Sequence, residues 1–333
     1  MNVLVTGGAG YIGSHATRLL LRAGHTVCVF DNLSRGHREA VPANLLVQGD
    51  LVDRELLVRV MRDRHIDAVM HFAAFALVGE SMAEPALYYQ NNVVSSLALL
   101  EAMRTAGVRR IVFSSTTATY GVPARIPITE SEPQRPINPY GFSKLVVEQA
   151  LQDYCRAYGF GFAALRYFNA AGATPEGDLG EDHDPESHLI PNILRVALGQ
   201  RDRFTVFGED YPTPDGTCIR DYIHVDDLGA AHLQALGQLE PGVQLKLNLG
   251  TGQGLSVREI LDACRRVTGH PIPYEVGSRR PGDPPELVAD SQLAQRTLEW
   301  YPKYVQVEQL VQTAWNWHRA HPHGYAGGAV VSR

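Results

Sequence analysis

The stretch Thr6-Gly7-Gly8-Ala9-Gly10-Tyr11-Ile12-Gly13 decides the fold, because it joins an apolar run to a helical pattern. The run Asn2–Thr6 predicts a buried strand, and Tyr11–Ala23 has the apolar spacing of a helix. Glycines at such a junction let backbone N–H groups approach a pyrophosphate at the helix N-terminus, where the helix dipole favours negative charge. A tight strand-to-helix turn also needs glycines, so the motif gains its meaning from its surroundings.

The second predicted strand, Thr26–Asp31, supports a dinucleotide site. Asp31 follows Gly13 by 18 residues. A carboxylate at about this distance accepts hydrogen bonds from the adenosine ribose hydroxyls and repels a 2′-phosphate. We therefore predict NAD, rather than NADP, as the cofactor. Asp50 ends the third predicted strand, Leu45–Asp50, and is expected to face the same crevice.

Apolar runs and helical patterns keep alternating through the first half of the chain. The strands lack polar–apolar alternation, which indicates burial on both faces and a parallel sheet with helices on each side. We predict an α/β fold, with a Rossmann-type doubly wound parallel sheet in residues 1–170 and a smaller mixed α/β substrate lobe in 171–320. Some elements of the second lobe are expected to return to the first domain, and 321–333 to form a flexible tail. Further predicted strands are Ala68–Ala73, Arg110–Ser115 and Ala163–Asn169, and further predicted helices are Asp53–Asp63, Ala86–Ala106 and Pro139–Tyr158.

Composition narrows the possible functions. The net charge of −6 and the lack of a basic run argue against nucleic acid as a partner. No apolar stretch reaches the roughly 18 residues of a membrane helix. The four cysteines are far apart and lack metal-ligand spacing, which predicts reduced thiols and no metal. Without a signal-peptide pattern, we expect a cytoplasmic protein.

Tyr140 and Lys144 form the main candidate for catalysis. They are four residues apart on a predicted helix, so their side chains lie on one face. A free tyrosine has a pKa near 10, and a cation about 4–6 Å away lowers an acid's pKa by about 1–3 units. The chain has 27 arginines and only three lysines, so this lysine is unlikely to be incidental. Thr116, at the end of the fifth predicted strand, adds a hydroxyl that can bind the reacting oxygen.

The glycine loop, the hydroxyl at the strand end and the Tyr-x-x-x-Lys pair resemble the extended short-chain dehydrogenase/reductases, which modify nucleotide sugars. Several members begin by oxidising a sugar C4 hydroxyl. The dehydratases carry Thr-Asp-Glu before a Tyr-Gly, and the decarboxylases typically carry a glutamate where Ala118 stands. The stretch Thr116–Gly121 contains no carboxylate here. The resemblance therefore implies a 4-epimerase, which returns the hydride to the same carbon.

The resemblance to the branch that interconverts UDP-glucose and UDP-galactose covers about residues 1–320. It implies a UDP-hexose substrate and a homodimer formed through the helices near Ala86–Ala106 and Pro139–Tyr158. Arg220 and Arg280 match diphosphate-binding arginines. The resemblance assigns catalysis to Thr116, Tyr140 and Lys144; NAD binding to Gly7, Gly10, Tyr11, Ile12, Gly13, Asp31, Asn32, Asp50, Leu51, Phe72, Ala73, Ala74, Asn91, Thr116, Tyr140, Lys144 and Phe168; and substrate binding to Thr116, Tyr140, Asn169, His188, Leu189, Phe207, Arg220, Arg280, Asp283 and Leu287.

Three departures from the family pattern leave alternatives open. Thr116 replaces a serine and keeps its hydroxyl, while Ala76 replaces a lysine that some members place near the NAD phosphates. Leu287 is intermediate in size at a position that governs room for an N-acetyl group. A 4-epimerase of UDP-N-acetylhexosamines, UDP-glucuronate or a UDP-pentose therefore stays open. A regulator that binds NAD without catalysis is disfavoured by the intact Tyr140–Lys144 pair.

Overall fold

The computed structural model describes residues 1–280 and 284–325, and its first half alternates strands and helices as predicted. The strands are β1 (Asn2–Thr6), β2 (Thr26–Asp31), β3 (Leu46–Gln48), β4 (Ala68–His71), β5 (Arg110–Ser114), β6 (Gly161–Arg166), β7 (Asn169–Ala171), β8 (Phe204–Phe207), β9 (Ile219–His224), β10 (Gln244–Asn248), β11 (Gly254–Ser256), β12 (Tyr274–Gly277) and β13 (Glu286–Leu287). The helices are α1 (Tyr11–Arg22), α2 (Arg54–Asp63), α3 (Val78–Ala83), α4 (Pro85–Tyr88), α5 (Ser95–Ala106), α6 (Pro139–Tyr158), α7 (Leu189–Ala197), α8 (Val225–Gly237), α9 (Val257–Thr268), α10 (Gln292–Leu298) and α11 (Val307–Ala320).

A seven-stranded parallel sheet in the order β10-β6-β5-β4-β1-β2-β3 forms the larger part of the fold. Successive side chains of β1 point to opposite faces, so Val3 and Val5 pack with α1 and α8. Leu4 packs on the other face with α2, α5 and α6. The predicted Rossmann-type α/β fold with a doubly wound parallel sheet is confirmed. β10 and α8 come from beyond residue 171, yet they belong to this sheet and its helical layer.

The second part of the chain builds its own core from shorter elements. β9 pairs with β7, β11 and β13, and β8 forms a separate parallel pair with β12. Helices α7, α9 and α11 pack together through buried side chains that include Ile193, Leu261 and Val311. Ser256 and Glu259 form the capping box that their spacing predicts. This part contains most of the residues predicted to bind substrate.

Two predicted elements are divided in the structure. The expected strand Ala163–Asn169 becomes β6 and β7, because the chain leaves the main sheet after Arg166 and β7 pairs with β9. The expected helix Ala86–Ala106 becomes α4, a π-helical segment at Tyr89–Val94, and α5. Within that segment, the Asn92 side chain forms two hydrogen bonds with the backbone of Phe75. Its Oδ1 accepts from the Phe75 N–H at 2.9 Å, and its Nδ2 donates to the Phe75 carbonyl at 3.0 Å.

Only the first part of the expected tail, 321–325, lies within the described residues. Residues 321–325 pack against the fold through Tyr325, whose hydroxyl donates to the Gly180 carbonyl at 3.2 Å. The Tyr325 ring also stacks on His37 at a centroid distance of 4.9 Å. The buried Tyr325 ring thus ties 321–325 to the fold, whereas 326–333 lie outside the described residues, and the flexible tail stays a prediction. No helix in the described ranges has the length and hydropathy needed to cross a membrane.

Candidate active site

The glycine loop lies at the carboxyl edge of the main sheet, between β1 and α1. Gly7 has a φ of +71°, and a Cβ there would lie 2.4 Å from the backbone nitrogen of Ala73. A Cβ on Gly13 would lie 2.2 Å from the Gly7 carbonyl oxygen. Gly10 is the N-cap of α1 and supplies no side-chain cap. The backbone packing therefore requires glycine, and the open helix N-terminus fits a phosphate group.

Asp31 joins the glycine loop to the end of β2. One carboxylate oxygen accepts a hydrogen bond from the Ala9 N–H at 3.0 Å, and the other accepts from the Leu33 N–H at 2.8 Å. Burial raises the pKa of the Asp31 carboxyl, and these two hydrogen bonds offset the rise in part. A carboxylate can accept about four hydrogen bonds, so Asp31 retains capacity for ribose hydroxyls. The loop and the acid together fit NAD.

The other residues predicted to bind NAD lie along the same edge or on the elements beside it. Asn32 Nδ2 donates to Asp50 Oδ2 at 3.0 Å, which links the chain after β2 to the chain after β3. The Ala73 N–H donates to the Thr6 carbonyl at 3.1 Å, directly beside Gly7. Their contacts with a cofactor stay predictions. Tyr11 and Ile12 open α1, Leu51 follows Asp50, Phe72, Ala73 and Ala74 follow β4, Asn91 lies in the π-helical segment, and Phe168 follows β6.

Helix α6 begins at Pro139, where it presents Tyr140 and Lys144 to the end of β5. The Asn138 side chain caps the helix by accepting from the Gly141 N–H at 2.8 Å. Lys144 is 4% exposed, and its Nζ donates to the Ser114 carbonyl at 2.8 Å. Burial lowers the pKa of Lys144 to about 7, and Glu148 opposes this shift. The lysine is thus fixed to the strand that ends at the candidate site.

The phenol of Tyr140 has a raised pKa in this structure, and burial is the main cause. A hydrogen bond with the Thr116 side chain lowers the pKa in part. Lys144 is not among the causes of this shift, and its ammonium group donates to the Ser114 carbonyl. The expectation that Lys144 lowers the pKa of Tyr140 therefore finds no support in the protein without its cofactor, and it stays a prediction for the NAD-bound protein. The positive charge of an oxidised nicotinamide would act in the expected direction.

A buried ion pair supports this site, and the sequence analysis missed it. Arg166 is 2% exposed and donates from Nε and Nη2 to the two oxygens of Glu148, at 2.9 and 2.5 Å. The Ser115 hydroxyl donates to the same carboxylate at 2.5 Å. Glu148 follows Lys144 by one helical turn, so the spacing Tyr140, Lys144, Glu148 was the available signal. The pair joins α6, β5 and β6 beneath the reacting groups.

Arg220 and Arg280, the predicted diphosphate ligands, differ in their surroundings. Arg220 lies on β9, is buried, and donates to the carbonyls of Ile219 at 2.6 Å and Pro284 at 2.9 Å. Arg280 is exposed, and its guanidinium carbon lies 4.3 Å from the centroid of the Phe207 ring. Phe207 is 39% exposed. An arginine guanidinium thus stacks on Phe207, one of the predicted substrate contacts.

Two of the remaining substrate predictions lie on strands that pair with β9, and two lie at the start of α7. Leu287 lies opposite Arg220 in the β9–β13 pairing. Asn169 begins β7, which also pairs with β9. His188 is the N-cap of α7, and Leu189 is its first residue. Asp283 lies outside the described residues, and the substrate contacts of the other residues stay predictions.

Asp221, which follows Arg220 on β9, was not among the predicted site residues, and its carboxylate ties this strand to two neighbouring segments. Its carboxylate accepts from the Thr251 N–H at 2.9 Å and from the Thr251 hydroxyl at 2.8 Å. It also accepts from the N–H groups of Gly252 and Ala289, at 3.1 and 3.3 Å. This buried acid joins β9 to the turn after β10 and to the chain after β13.

Comparison with known proteins agrees with this arrangement. The model of the NAD dependent epimerase/dehydratase family matches residues 3–250. A UDP-glucose 4-epimerase of Halalkalibacterium halodurans is 54% identical over 327 residues, which cover 98% of each chain. The crystal structure of UDP-glucose 4-epimerase from Brucella ovis in complex with NAD is 51% identical, with a TM-score of 0.92, and the match covers 94% of this chain and 97% of that chain.

The structural likeness extends to a more distant relative. UDP-glucose 4-epimerase from Bifidobacterium longum, in complex with NAD+ and UDP, is 39% identical with a TM-score of 0.92, and the match covers 98% of this chain and 100% of that chain. The family match spans most of the chain, and the sequence match spans nearly all of it. The chain therefore belongs to the NAD-dependent epimerase/dehydratase family.

Proposed function

We propose that this chain interconverts UDP-glucose and UDP-galactose by reversible epimerisation at C4 of the hexose, through a transient 4-keto sugar. It is an NAD-dependent epimerase that acts on a UDP-sugar. The observation that carries the proposal is the meeting of Tyr140 and Thr116 at the end of β5, on the sheet edge that also holds the glycine loop. The named relatives support the same activity.

Bound NAD supplies a hydride acceptor that can later return the hydride to the same carbon. The Tyr140 phenolic oxygen takes the proton of the C4 hydroxyl and later gives it back. The Thr116 hydroxyl lies close enough to the phenol to affect its pKa, and in this proposal it orients the reacting oxygen. Lys144 donates a hydrogen bond to the Ser114 carbonyl and so holds the N-terminal part of α6 against β5.

The residues Thr117–Thr119, which follow β5, offer no acid or base for the elimination of water from the sugar, because their hydroxyls already donate to backbone carbonyls. The Thr117 hydroxyl donates to the Tyr167 carbonyl at 3.2 Å, and the Thr119 hydroxyl donates to the Thr116 carbonyl at 3.0 Å. Ala118 between them carries no polar group. Loss of water from a sugar needs an acid and a base beyond the group at C4. This arrangement supports epimerisation over dehydration.

The nucleotide is held far from the reacting carbon in this proposal. Arg220 and Arg280 bind the diphosphate through charge-assisted hydrogen bonds, and Phe207 borders the uracil. The hexose must turn over between the two hydride transfers, so its own contacts must be weak. Binding energy from the UDP part then serves the reaction at C4.

The proposal is tested by incubating the purified chain with a panel of UDP-sugars and separating the products. The panel holds UDP-galactose, UDP-N-acetylgalactosamine, UDP-galacturonate and a UDP-pentose. We expect the highest kcat/KM for UDP-galactose, with UDP-glucose as the product. Faster conversion of another member would assign a different UDP-sugar, and no conversion of any member would overturn the proposal.

We also propose that the chain forms a homodimer through α3–α5 and α6. Tyr89 and Phe142 are exposed, and their rings lie edge to face at 6.3 Å, which makes one continuous patch from two elements. Exposed apolar patches of this kind mark interaction sites.

Phe142→Glu should shift the sedimentation mass to that of a monomer, whereas Tyr301→Glu, at an exposed tyrosine outside the patch, should not. A wild-type monomer would overturn the proposal. The patch contains Val78, Met82, Leu87, Tyr89, Val94, Leu97 and Phe142.

We propose a cytoplasmic location for this activity. The four cysteines form no disulfide among the described residues, and three of them are buried. Reduced thiols are the usual state in the cytosol. A fluorescent fusion that follows a cytosolic marker would support this location, and one found outside the cytosol would contradict it.

A further inference from the structure

Four side chains of the loop between β7 and α7 converge in a cluster, and His188 is the only one of them among the predicted substrate contacts. Glu181, His183, Glu186 and His188 each offer one ligand atom, and these atoms lie within 4.8 Å of one another. The carboxylates are almost fully buried. Both histidines present Nδ1 to the same two carboxylates. We propose that this cluster, called the Glu/His cluster below, is a binding site for one Zn²⁺ ion.

The distances in the cluster match a tetrahedral metal site. Nδ1 of His188 lies 2.9 Å from an oxygen of Glu181 and 2.9 Å from one of Glu186. Nδ1 of His183 lies 3.2 and 3.8 Å from oxygens of the same two acids. Zinc bonds to nitrogen and oxygen of about 2.1 Å place tetrahedral ligands about 3.4 Å apart. The four separations fall on both sides of that value, so small side-chain shifts would complete the site.

Hydrogen bonding within the cluster is incomplete without a metal. Nδ1 of His183 is buried and forms no hydrogen bond, although Glu181 is only 3.2 Å away. A buried polar atom without a partner costs free energy. A metal ion placed among the four ligand atoms would give this nitrogen a bond.

Charge balance favours a divalent cation at this position. Two buried carboxylates this close together require two positive charges. Without a metal, the imidazoles of His183 and His188 are the cationic groups nearest to the two acids. A Zn²⁺ ion with neutral histidines gives the same balance and releases the protons. Two imidazole ligands select zinc over Mg²⁺, which prefers oxygen ligands.

The cluster lies between the cofactor side and the substrate side of the molecule. The His183 ring packs edge to face on Tyr11, the first residue of α1, at a centroid distance of 6.2 Å. His188 is the N-cap of α7. The Tyr11 hydroxyl donates to the Gly172 carbonyl at 2.7 Å, at the start of the same loop. A bound ion would therefore fix this loop between α1 and α7. The cysteine spacing predicted no metal, but this ligand set contains no cysteine.

The test uses the purified full-length chain, stripped with EDTA and dialysed against zinc chloride. We expect about one retained zinc per chain by mass spectrometry, and no comparable retention of Mg²⁺. Glu181→Gln, which keeps the side-chain volume, and His183→Ala should each weaken zinc binding at least about tenfold. His270→Ala changes an exposed histidine outside the cluster and should leave zinc binding unchanged.

Thermal unfolding provides a second measurement. It compares three proteins, so the result does not depend on whether any one variant folds. Zinc should raise the midpoint of the stripped wild type and of His270→Ala, but not that of Glu181→Gln. Wild-type protein without retained zinc would overturn the proposal. Equal zinc binding by wild type and both cluster variants would also overturn it, because the ion would then lie elsewhere.

Discussion

The two ends of the candidate site are built differently. At the reacting end, Tyr140 and Lys144 stand on a 20-residue helix whose start is capped, and Lys144 is buried against β5. At the nucleotide end, Arg220 lies on a six-residue strand and Arg280 is exposed above Phe207. The reacting end depends on the main sheet, whereas the nucleotide end depends on short elements joined through buried polar contacts. This difference suits an enzyme that fixes its acid–base group while a bound sugar turns.

Removal of the phenolic hydroxyl should have the largest effect of the changes considered. Tyr140→Phe should lower kcat for UDP-galactose by about 10³-fold or more, because no other group at the end of β5 can exchange the C4 proton. UDP affinity should stay within about twofold, since the phenol lies at the reacting end. Turnover assays and calorimetric titration with UDP measure the two effects. An active Tyr140→Phe enzyme would contradict the assignment of Tyr140.

Loss of one partner of the buried ion pair should destabilise the reacting end. Arg166→Met leaves Glu148 buried without its bidentate partner, so the free energy of unfolding should fall by about 3–5 kcal/mol. Urea denaturation followed by circular dichroism measures the change. The double variant Arg166→Met/Glu148→Leu should recover most of the loss. If the single variant is as stable as the wild type, the pair does not support the site as described.

The buried lysine should make stability depend on pH. Lys144 has a folded-state pKa of about 7 against an ordinary value of 10.5, so its charged form disfavours folding. This penalty is complete below pH 7 and declines as the pH rises from 7 towards 10.5. Lys144→Met should therefore stabilise the NAD-free protein more at pH 6 than at pH 9, by on the order of 2–3 kcal/mol. Urea unfolding at the two pH values measures this, and an equal effect at both would contradict the lowered pKa.

The two arginines at the nucleotide end, Arg220 and Arg280, should contribute unequally to the affinity for UDP. Arg220→Met should weaken UDP binding about 10- to 100-fold, because a buried charged donor loses its ligand contacts. Arg280→Met should weaken it only several-fold, since exposed ion pairs contribute about 1 kcal/mol or less. Arg279→Met is the matched control, because Arg279 pairs with Asp210. Calorimetry with UDP ranks the three variants, and a larger loss for Arg280→Met than for Arg220→Met would reverse the comparison.

Sequence signals predicted the reacting end well because they are local. The Asn138–Pro139 start of α6 and the glycine loop depend on neighbouring residues, and both occur as predicted. The fold class likewise follows from apolar runs that recur along the chain. The raised pKa of Tyr140 was not predicted, because it depends mainly on how deeply the folded chain buries the phenol.

Most of the features that the sequence analysis missed depend on residues far apart in the chain. β7 separates from β6 because it pairs with β9, about 50 residues later. The π-helical segment accompanies the bonds between Asn92 and Phe75. The Glu/His cluster, by contrast, is local, since its four residues lie between Glu181 and His188. It was not predicted because an acidic loop rich in glycine and proline does not reveal which side chains converge. At the nucleotide end, no local pattern showed that Asp221 bonds Thr251, Gly252 and Ala289.

The return of the hydride to its original carbon is the central claim, and isotope retention tests it most directly. UDP-galactose labelled with deuterium at C4 of the hexose is converted in ordinary water, and the UDP-glucose formed is examined by mass spectrometry and proton NMR. We predict that the deuterium stays at C4, because the hydride leaves and returns without exchange with solvent. Loss of the label to water, with epimerisation intact, would contradict a mechanism of oxidation at C4 followed by return of the same hydride.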